Sequence, residues 1–189
     1  PEAITGMLQR FTYRTEGSIT DDEEKQLAFD LLIHAGPACV EPIKAFVMES
    51  DAVYFPLKAL REIIGIERAV DVLIAALDEV SHITTRRNEH RTQLVSNLRD
   101  FPHPKVEARL RELCADDDEE VRILACDGLM TYGERKAAEA VVQRLLDADE
   151  TPRVKTVIIE QLLEAGWSVS PWQAQFDEAS ALPSQYRIG

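Results

Sequence analysis

The sequence has few of the residues that interrupt regular structure, and few that form covalent or metal cross-links. Its 189 residues include only 8 glycines and 9 prolines, and these lie between periodic segments, which favours helices. The cysteines Cys39, Cys114 and Cys126 are odd in number, have apolar neighbours and form no Cys-x-x-Cys pair. We therefore predict buried thiols in a reducing, cytoplasmic compartment rather than a disulfide framework.

Membrane and targeting signals are also missing from the pattern. No apolar run approaches the length of a membrane span, and no signal peptide is visible. We therefore expect no contact with a membrane.

Motifs for catalysis or cofactor binding are lacking as well. None of the four histidines, His34, His82, His90 and His103, is followed by Glu, and no HxxxH or HExxH spacing occurs. The chain contains no GxxxxGK[ST], no GxGxxG and no nucleophile elbow around a serine. The sequence thus predicts no catalytic residue, no metal site, no cofactor and no enzymatic activity.

Negative charge is abundant and positive charge is not. There are 34 Asp and Glu against 21 Lys and Arg, a net charge of −13. Phosphate backbones repel such a surface, so we expect no nucleic-acid partner. Hydrophobic residues make up 45% of the chain, enough to bury a core rather than remain disordered.

The most regular stretch runs from Val121 to Asp147 and predicts two antiparallel helices. Gly133 separates them, because glycine enters the left-handed conformation at a helix end without steric cost. Each predicted helix has one apolar stripe at helical spacing. The stripes consist of Val121, Leu124, Ala125, Gly128, Leu129 and Tyr132 on the first helix, and Ala138, Val141, Val142, Leu145 and Leu146 on the second.

A second copy of this pattern follows. Residues 152–166 place Val154, Val157, Ile158, Leu162 and Ala165 at the same spacing. Aligning Gly133 with Gly166 gives a period of about 33 residues, with Gln161 as the exception in the stripe. Such hairpins bury their stripes only by stacking on neighbours, which is typical of a solenoid.

Over residues 20–166 the pattern resembles the HEAT repeats, in particular the short bacterial type also found in phycobilin lyase subunits. The resemblance implies an all-α, right-handed, armadillo-like α-solenoid of about five helical hairpins with atypical terminal helices. It also implies structural contacts between neighbouring repeats for Asp117, Arg122 and Arg153. Leu129 and Leu162 are then equivalent core anchors.

The remaining pairs follow the same spacing. We expect one repeat domain over residues 1–189, with a capping helix in 1–17, repeats in 18–166, and a C-terminal cap and tail in 167–189. In the first pair, Thr20 and Glu23 form a capping box, and Leu27, Leu31 and Ala35 point inward. The expected inward or terminal residues elsewhere are Ile4, Met7, Leu8 and Phe11 (a cap or a docking helix), Val40, Ile43 and Val47, Leu94, Val95 and Leu98, Val106, Leu110 and Leu113, and Ser170, Pro171, Trp172 and Phe176.

Partner-binding residues follow from the resemblance, because the second helix of each HEAT hairpin lines the concave side. The residues predicted there are Glu41, Lys44, Glu67, Asp71, Asp78, Glu107, Arg111, Glu139 and Gln143. Acids outnumber bases, which predicts an acidic concave face for a basic segment; ordinary solvated helix faces are the competing interpretation. Arg86, Arg87 and Arg91, with His82 and His90, form a basic exception, either a solvated face or an anion site.

The predicted function is a non-catalytic scaffold or adaptor that binds a protein or peptide. Two alternatives stay open. One is an accessory subunit of a lyase-type enzyme that holds a pigment or cofactor, as the resemblance implies, and the other is a structural domain of a longer polypeptide.

Overall fold

The computed structural model describes residues 2–13, 18–81, 88–133 and 135–179. All regular elements within these ranges are helical, which confirms the all-α prediction. The helices are α1 (Glu2–Arg10), α2 (Ser18–Ala35), α3 (Val40–Glu49), α4 (Tyr54–Ile64), α5 (Ile66–Ser81), α6 (Asn88–Leu98), α7 (Pro104–Leu113), α8 (Glu119–Met130), α9 (Arg135–Leu146), α10 (Pro152–Ala165) and α11 (Gln173–Ala179), with 3₁₀ turns at Gly36–Cys39 and Ser170–Trp172.

The helices group into two compact units. The N-terminal unit comprises Pro1–His103 and the C-terminal unit Pro104–Gly189. Within each unit, helices pack against the next helix and against the next but one: α4 on α5 and α2 on α4 in the first unit, α7 on α8 and α8 on α10 in the second. The single repeat domain with its capping segments stays a prediction.

Four glycines end the first helix of their pairs. Gly36, Gly65, Gly133 and Gly166 have φ values of 62°, 82°, 61° and 68°. Positive φ is sterically costly for other residues. Gly133 and Gly166 therefore occupy equivalent positions, as the 33-residue period predicts. The first helix of the third pair, α6, is followed instead by the fully buried Phe101 and two prolines.

The core of the N-terminal unit consists of aliphatic side chains from successive helices. Ile43 and Val47 of α3 are fully buried, which confirms two predicted inward positions, whereas Val40 is half-buried. Leu8 of α1 and Phe11, the residue after this helix, are buried, while Ile4 and Met7 of α1 are half-buried. The fully buried residues of α4, α5 and α6 include Leu57, Leu60, Val70, Leu73, Leu77, Leu94 and Leu98.

The predicted inward face of α2 is wrong by one residue. Leu27 and Leu31 are 59% and 46% exposed, and Ala35 is exposed too. Ala28 and Leu32 face the core instead. Apolar residues occupy several faces of α2, so their spacing admits more than one stripe, and contacts with α1 and α4 decide between them.

The predicted capping box at the start of α2 is also wrong. The helix begins at Ser18, so Thr20 lies inside its first turn rather than before it. Asp21, in the first turn of the helix, is 8% exposed and faces inward. Its carboxylate binds Arg10 and Lys25, at 2.7 and 2.6 Å.

In the C-terminal unit, α8 is buried on most of its circumference. The predicted stripe residues Val121, Ala125, Gly128 and Leu129 are buried, whereas Leu124 and Tyr132 are half-buried. The remaining buried residues of the helix are Ile123, Cys126 and Met130. Because α7, α9 and α10 all pack against α8, this helix has little surface left for solvent.

The last turns of the chain depart from two sequence expectations. Val169, not Ser170, precedes the 3₁₀ turn as its N-cap residue. Phe176 is buried at 4% exposure, as expected of a residue that seals the final core layer, and α11 packs on α9. The two tryptophans, Trp167 and Trp172, are only half-buried.

One expectation about apolar runs is wrong as well. Among the described residues, the helical segment Ile19–Glu49 is long and apolar enough to cross a membrane, by length and composition alone. Core helices and N-terminal signal sequences both meet that criterion. Gly36 breaks this segment with its positive φ, and only 22% of its most apolar window is buried.

Candidate functional site

In the N-terminal unit, the predicted partner-binding residues lie on α3 and α5. Glu41 is exposed and accepts a hydrogen bond from Lys44 Nζ at 2.7 Å, so this pair is neutral. Glu67 and Asp71, one turn apart on α5, are both exposed and share one face of the helix with the exposed Asp78. His103 Nε2 lies 2.7 Å from Glu67 Oε2.

In the C-terminal unit, the predicted residues contribute little net charge. Glu107 and Arg111 of α7 form an ion pair, and both side chains are largely covered. Glu139 and Gln143 lie one turn apart on α9 and are exposed. The excess of acidic groups among the predicted residues therefore lies on α5, and their role in binding stays a prediction.

The basic cluster expected around Arg91 is only partly described. Arg86, Arg87 and His82 lie outside the described residues. His90 is 4% exposed, and its Nε2 lies 2.8 Å from the carbonyl oxygen of Val47, to which it donates. His90 therefore ties α6 to the end of α3 and does not face an anion in solvent.

A charged network in the C-terminal unit joins the start of α8 to the turn before α10. Arg122 donates two hydrogen bonds to the carboxylate of Glu150, from Nη2 to Oε1 at 2.7 Å and from Nε to Oε2 at 2.8 Å. Arg144 approaches the same carboxylate at 3.5 Å. Burial alone would raise the pKa of Glu150, but Arg122 and the Thr151 N–H outweigh it and lower the pKa below the ordinary value.

The network corrects one contact that the resemblance implies, the one between the side chains of Asp117 and Arg122. Arg122 Nη1 donates to the backbone carbonyls of Asp116 and Asp117, at 2.8 and 3.0 Å, and not to the Asp117 carboxylate. Its side-chain partner is Glu150, which the sequence reasoning missed because it lies 28 residues away.

Arg153 makes the second link between neighbouring pairs. It extends from α10 to the first turn of α8 and binds Glu119 and Glu120, each at 2.8 Å. The neighbouring acid Asp118 caps α8, since its carboxylate accepts from the backbone N–H of Glu120 and Val121. The acids at the start of α8 therefore have structural roles, in capping the helix and in binding Arg153.

The cysteines are buried, as predicted. The Sγ of Cys114, the residue after α7, lies 3.6 Å from the Sγ of Cys126 on α8. The hydrogen bond with Cys114, together with burial, raises the pKa of Cys126 well above the ordinary thiol value, and burial raises the pKa of Cys39. Neutral thiols are weak nucleophiles, so Cys39 and Cys126 are unsuited to covalent catalysis. Within the described ranges, no group of three or more His, Cys, Asp or Glu is placed to hold a metal ion.

Sequence reasoning missed a cleft in the N-terminal unit. It has a volume of about 460 Å³ and lies between the end of α1, the turn before α4 and the start of α6. Phe11, Tyr54 and Phe55 line it together with Asp51 and Glu89. These residues come from three separate segments, so no local motif indicated the cleft.

These observations define the class of protein as one built from stacked α-helical hairpins, with glycine breaks at the helix ends and charged links between neighbouring pairs. In a comparison with known protein families, residues 81–163 match the family model of the HEAT repeats. The match supports a relationship to HEAT-repeat proteins over less than half of the chain, and it says nothing of a phycobilin lyase subtype. No curated protein and no solved structure matches the chain.

Proposed function

We propose that this protein is a non-catalytic interaction scaffold or adaptor that binds a basic segment of a partner protein. The observation that supports this most directly is the row of exposed carboxylates on α5, Glu67, Asp71 and Asp78. HEAT repeats commonly mediate contacts between proteins, and the match over residues 81–163 supports the same use here.

Electrostatics favour a cationic partner. The carboxylates lie along one helix face and are exposed, so an approaching positive segment would be attracted before contact. Such attraction acts mainly on the rate of association and is screened within about 8 Å at physiological salt. Binding should therefore weaken as the salt concentration rises. The same net charge disfavours nucleic acid as a partner.

The proposed location is the cytoplasm. The buried cysteines Cys39, Cys114 and Cys126, none of which forms a disulfide, support a reducing compartment, where disulfides are rare.

The test reverses charge on α5. In the variant Glu67→Lys/Asp71→Lys, both changed side chains are exposed, so the fold should persist although Glu67 gives up its contact with His103. We leave Glu107 unchanged, because its pairing with Arg111 would turn into repulsion. The measurement is a pull-down from native lysate at several salt concentrations, with mass spectrometry of the captured proteins. We expect the loss of basic partners that the unchanged protein retains at low salt.

The matched control is Glu23→Lys/Asp30→Lys, which makes the same change in net charge at exposed positions of α2. If both variants lose the same partners, the effect comes from net charge and not from the α5 face. If neither variant changes the identity or the salt dependence of the captured partners, the proposed binding face is wrong.

A further inference from the structure

The cleft of the N-terminal unit has an aromatic wall. Phe11 and Phe55 stack with ring centroids 5.2 Å apart and planes 12° from parallel, and Tyr54 meets Phe55 edge-on at 5.1 Å. Phe29 meets Phe55 edge-on from another side, at 6.1 Å. Tyr54 remains 43% exposed. A cluster of rings that keeps an exposed member beside a cavity offers π-faces to a ligand.

Cations are already attracted to these rings. Lys58 Nζ lies 4.8 Å above the centroid of Tyr54 and 3.1 Å from its hydroxyl. The face of an aromatic ring is negative, so a positive group above it is stabilised, the more so when it is shielded from water. The wall therefore favours a cationic ligand over a neutral or anionic one.

The charged residues at the cleft also favour a cationic ligand. Among the described residues that line the cleft, Lys25 is the only cation. It is bound to Asp21, which also binds Arg10; Arg10 in turn binds Glu24. These four groups neutralise one another. Asp51 and Glu89 remain as exposed carboxylates, and neither has an ion pair among the described residues. The cleft thus combines an aromatic wall with two exposed carboxylates, which outweigh the one positive charge of Lys58 beside Tyr54.

From this combination we propose that the cleft binds the guanidinium group of an arginine side chain on a partner protein. Guanidinium is planar, stacks on aromatic rings and offers a fork of N–H donors that matches a carboxylate. A lysine ammonium shares the charge but not the planar fork. This inference rests on the proposed function in taking a protein as the partner, but it concerns a surface other than the α5 face.

The first experiment titrates the full chain with an acetylated, amidated peptide that has one arginine among glycines. Its matched probe is the same peptide with citrulline, which keeps the shape and removes the charge. Backbone NMR signals of Ala52, Val53 and Gln93, which line the cleft, should shift with the arginine peptide and not with citrulline at equal concentration. Equal shifts with both peptides, or shifts confined to residues outside the cleft, would overturn the proposal.

The second experiment removes the two carboxylates without changing shape. Asp51→Asn/Glu89→Gln should weaken binding of the arginine peptide about tenfold, since charge-assisted hydrogen bonds are lost. The control Asp30→Asn/Glu79→Gln removes the same charge at exposed sites on α2 and α5 and should leave the affinity within about twofold, because distant exposed charges are screened. If both variants lose affinity for the arginine peptide equally, net charge alone attracts the peptide and the cleft is not its binding site.

The two proposals fail separately. If charge reversal on α5 abolishes partner capture while the arginine peptide leaves the cleft signals unmoved, only the cleft assignment is wrong. If the peptide binds in the cleft and the α5 variant captures the same partners as before, the α5 face is wrong and the cleft stands.

Discussion

Glu150 keeps its negative charge although only 1% of its side chain is exposed. The cost of removing a carboxylate from water is offset by two hydrogen bonds from Arg122 and one from the backbone of Thr151. An apolar residue in place of Glu150 would leave Arg122 only the carbonyls of Asp116 and Asp117, whereas glutamine keeps one acceptor and removes the charge. At the scale of single residues, this network is the best-defined link between two neighbouring helical pairs.

We predict that Glu150→Gln lowers the free energy of unfolding by about 1.5–3 kcal/mol at pH 7, the range for a hydrogen bond to a charged group. The pKa of Glu150 is lowered in the folded state, so its contribution is fully present above the ordinary value of 4.5 and is lost as the pH falls through the folded value. The difference in the free energy of unfolding between variant and parent, measured by urea unfolding from pH 7 to pH 3, should therefore shrink as the pH falls below 4.5.

The comparison must be made as a difference, because other groups titrate in the same range. The N–H of Asp149 and the Arg144 guanidinium outweigh desolvation and lower the pKa of Asp147 as well, and this contribution is common to both proteins. Glu160→Gln, at an exposed position of α10, is the control and should change stability by less than about 0.5 kcal/mol. A difference for Glu150→Gln that stays constant down to pH 3 would contradict the assignment.

At the scale of the helix, Gly128 sets how closely α8 approaches α7. A Cβ at this position would lie 3.0 and 3.1 Å from the two methyl carbons of Leu110, a side chain that is fully buried. We predict that Gly128→Ala is destabilising: overpacking costs about 1–3 kcal/mol, against about 1 kcal/mol gained in helix propensity. Thermal unfolding checks the sign.

Two further variants isolate that contact. Gly6→Ala on α1, where an added Cβ meets nothing within 4 Å, should stabilise by about 0.5–1 kcal/mol. Combining Gly128→Ala with Leu110→Val should recover part of the loss, because the shorter side chain makes room. A stabilising effect of Gly128→Ala, similar to that of Gly6→Ala, would show that α7 moves away without cost.

The spacing of apolar residues predicted most helices, but it did not predict for every helix which face is buried. On α8 and α10 the spacing is regular, and Leu129 and Leu162 are buried as equivalent anchors. On α2 it failed, because apolar residues surround the helix and because Asp21 points inward with two cationic partners. Single-sequence patterns treat an acid as exposed, and only tertiary contacts show that Arg10 and Lys25 neutralise it.

The candidate sites also divide into features of one segment, which the sequence predicts, and contacts between distant segments, which it does not. The exposed acids of α5 were predictable, because they depend on helical periodicity within one segment. The partner of Arg122 lies 28 residues away, and the cleft brings Phe11 together with Tyr54 and Glu89. Such long-range pairings leave no local spacing signal, so the sequence could not indicate them.

At the scale of the whole molecule, the two compact units offer separate signals of unfolding. Both tryptophans, Trp167 and Trp172, belong to the C-terminal unit, so tryptophan fluorescence reports on that unit alone. In repeat architectures, stability is approximately a sum of contributions from each repeat and from its contacts with neighbours. A defect in the core of one unit should therefore act first on that unit.

Leu129, fully buried in α8, provides the test. We predict that Leu129→Ala lowers the stability reported by tryptophan fluorescence by about 2–5 kcal/mol, the range for truncating a buried leucine. Hydrogen exchange should show the loss of protection concentrated in α8, α9 and α10, with amides around the equally buried Leu57 and Leu73 of the N-terminal unit changed much less. The control Leu163→Ala, at a position 70% exposed, should cost less than about 0.5 kcal/mol. An equal loss of protection in both units would mean that they unfold as a single cooperative body.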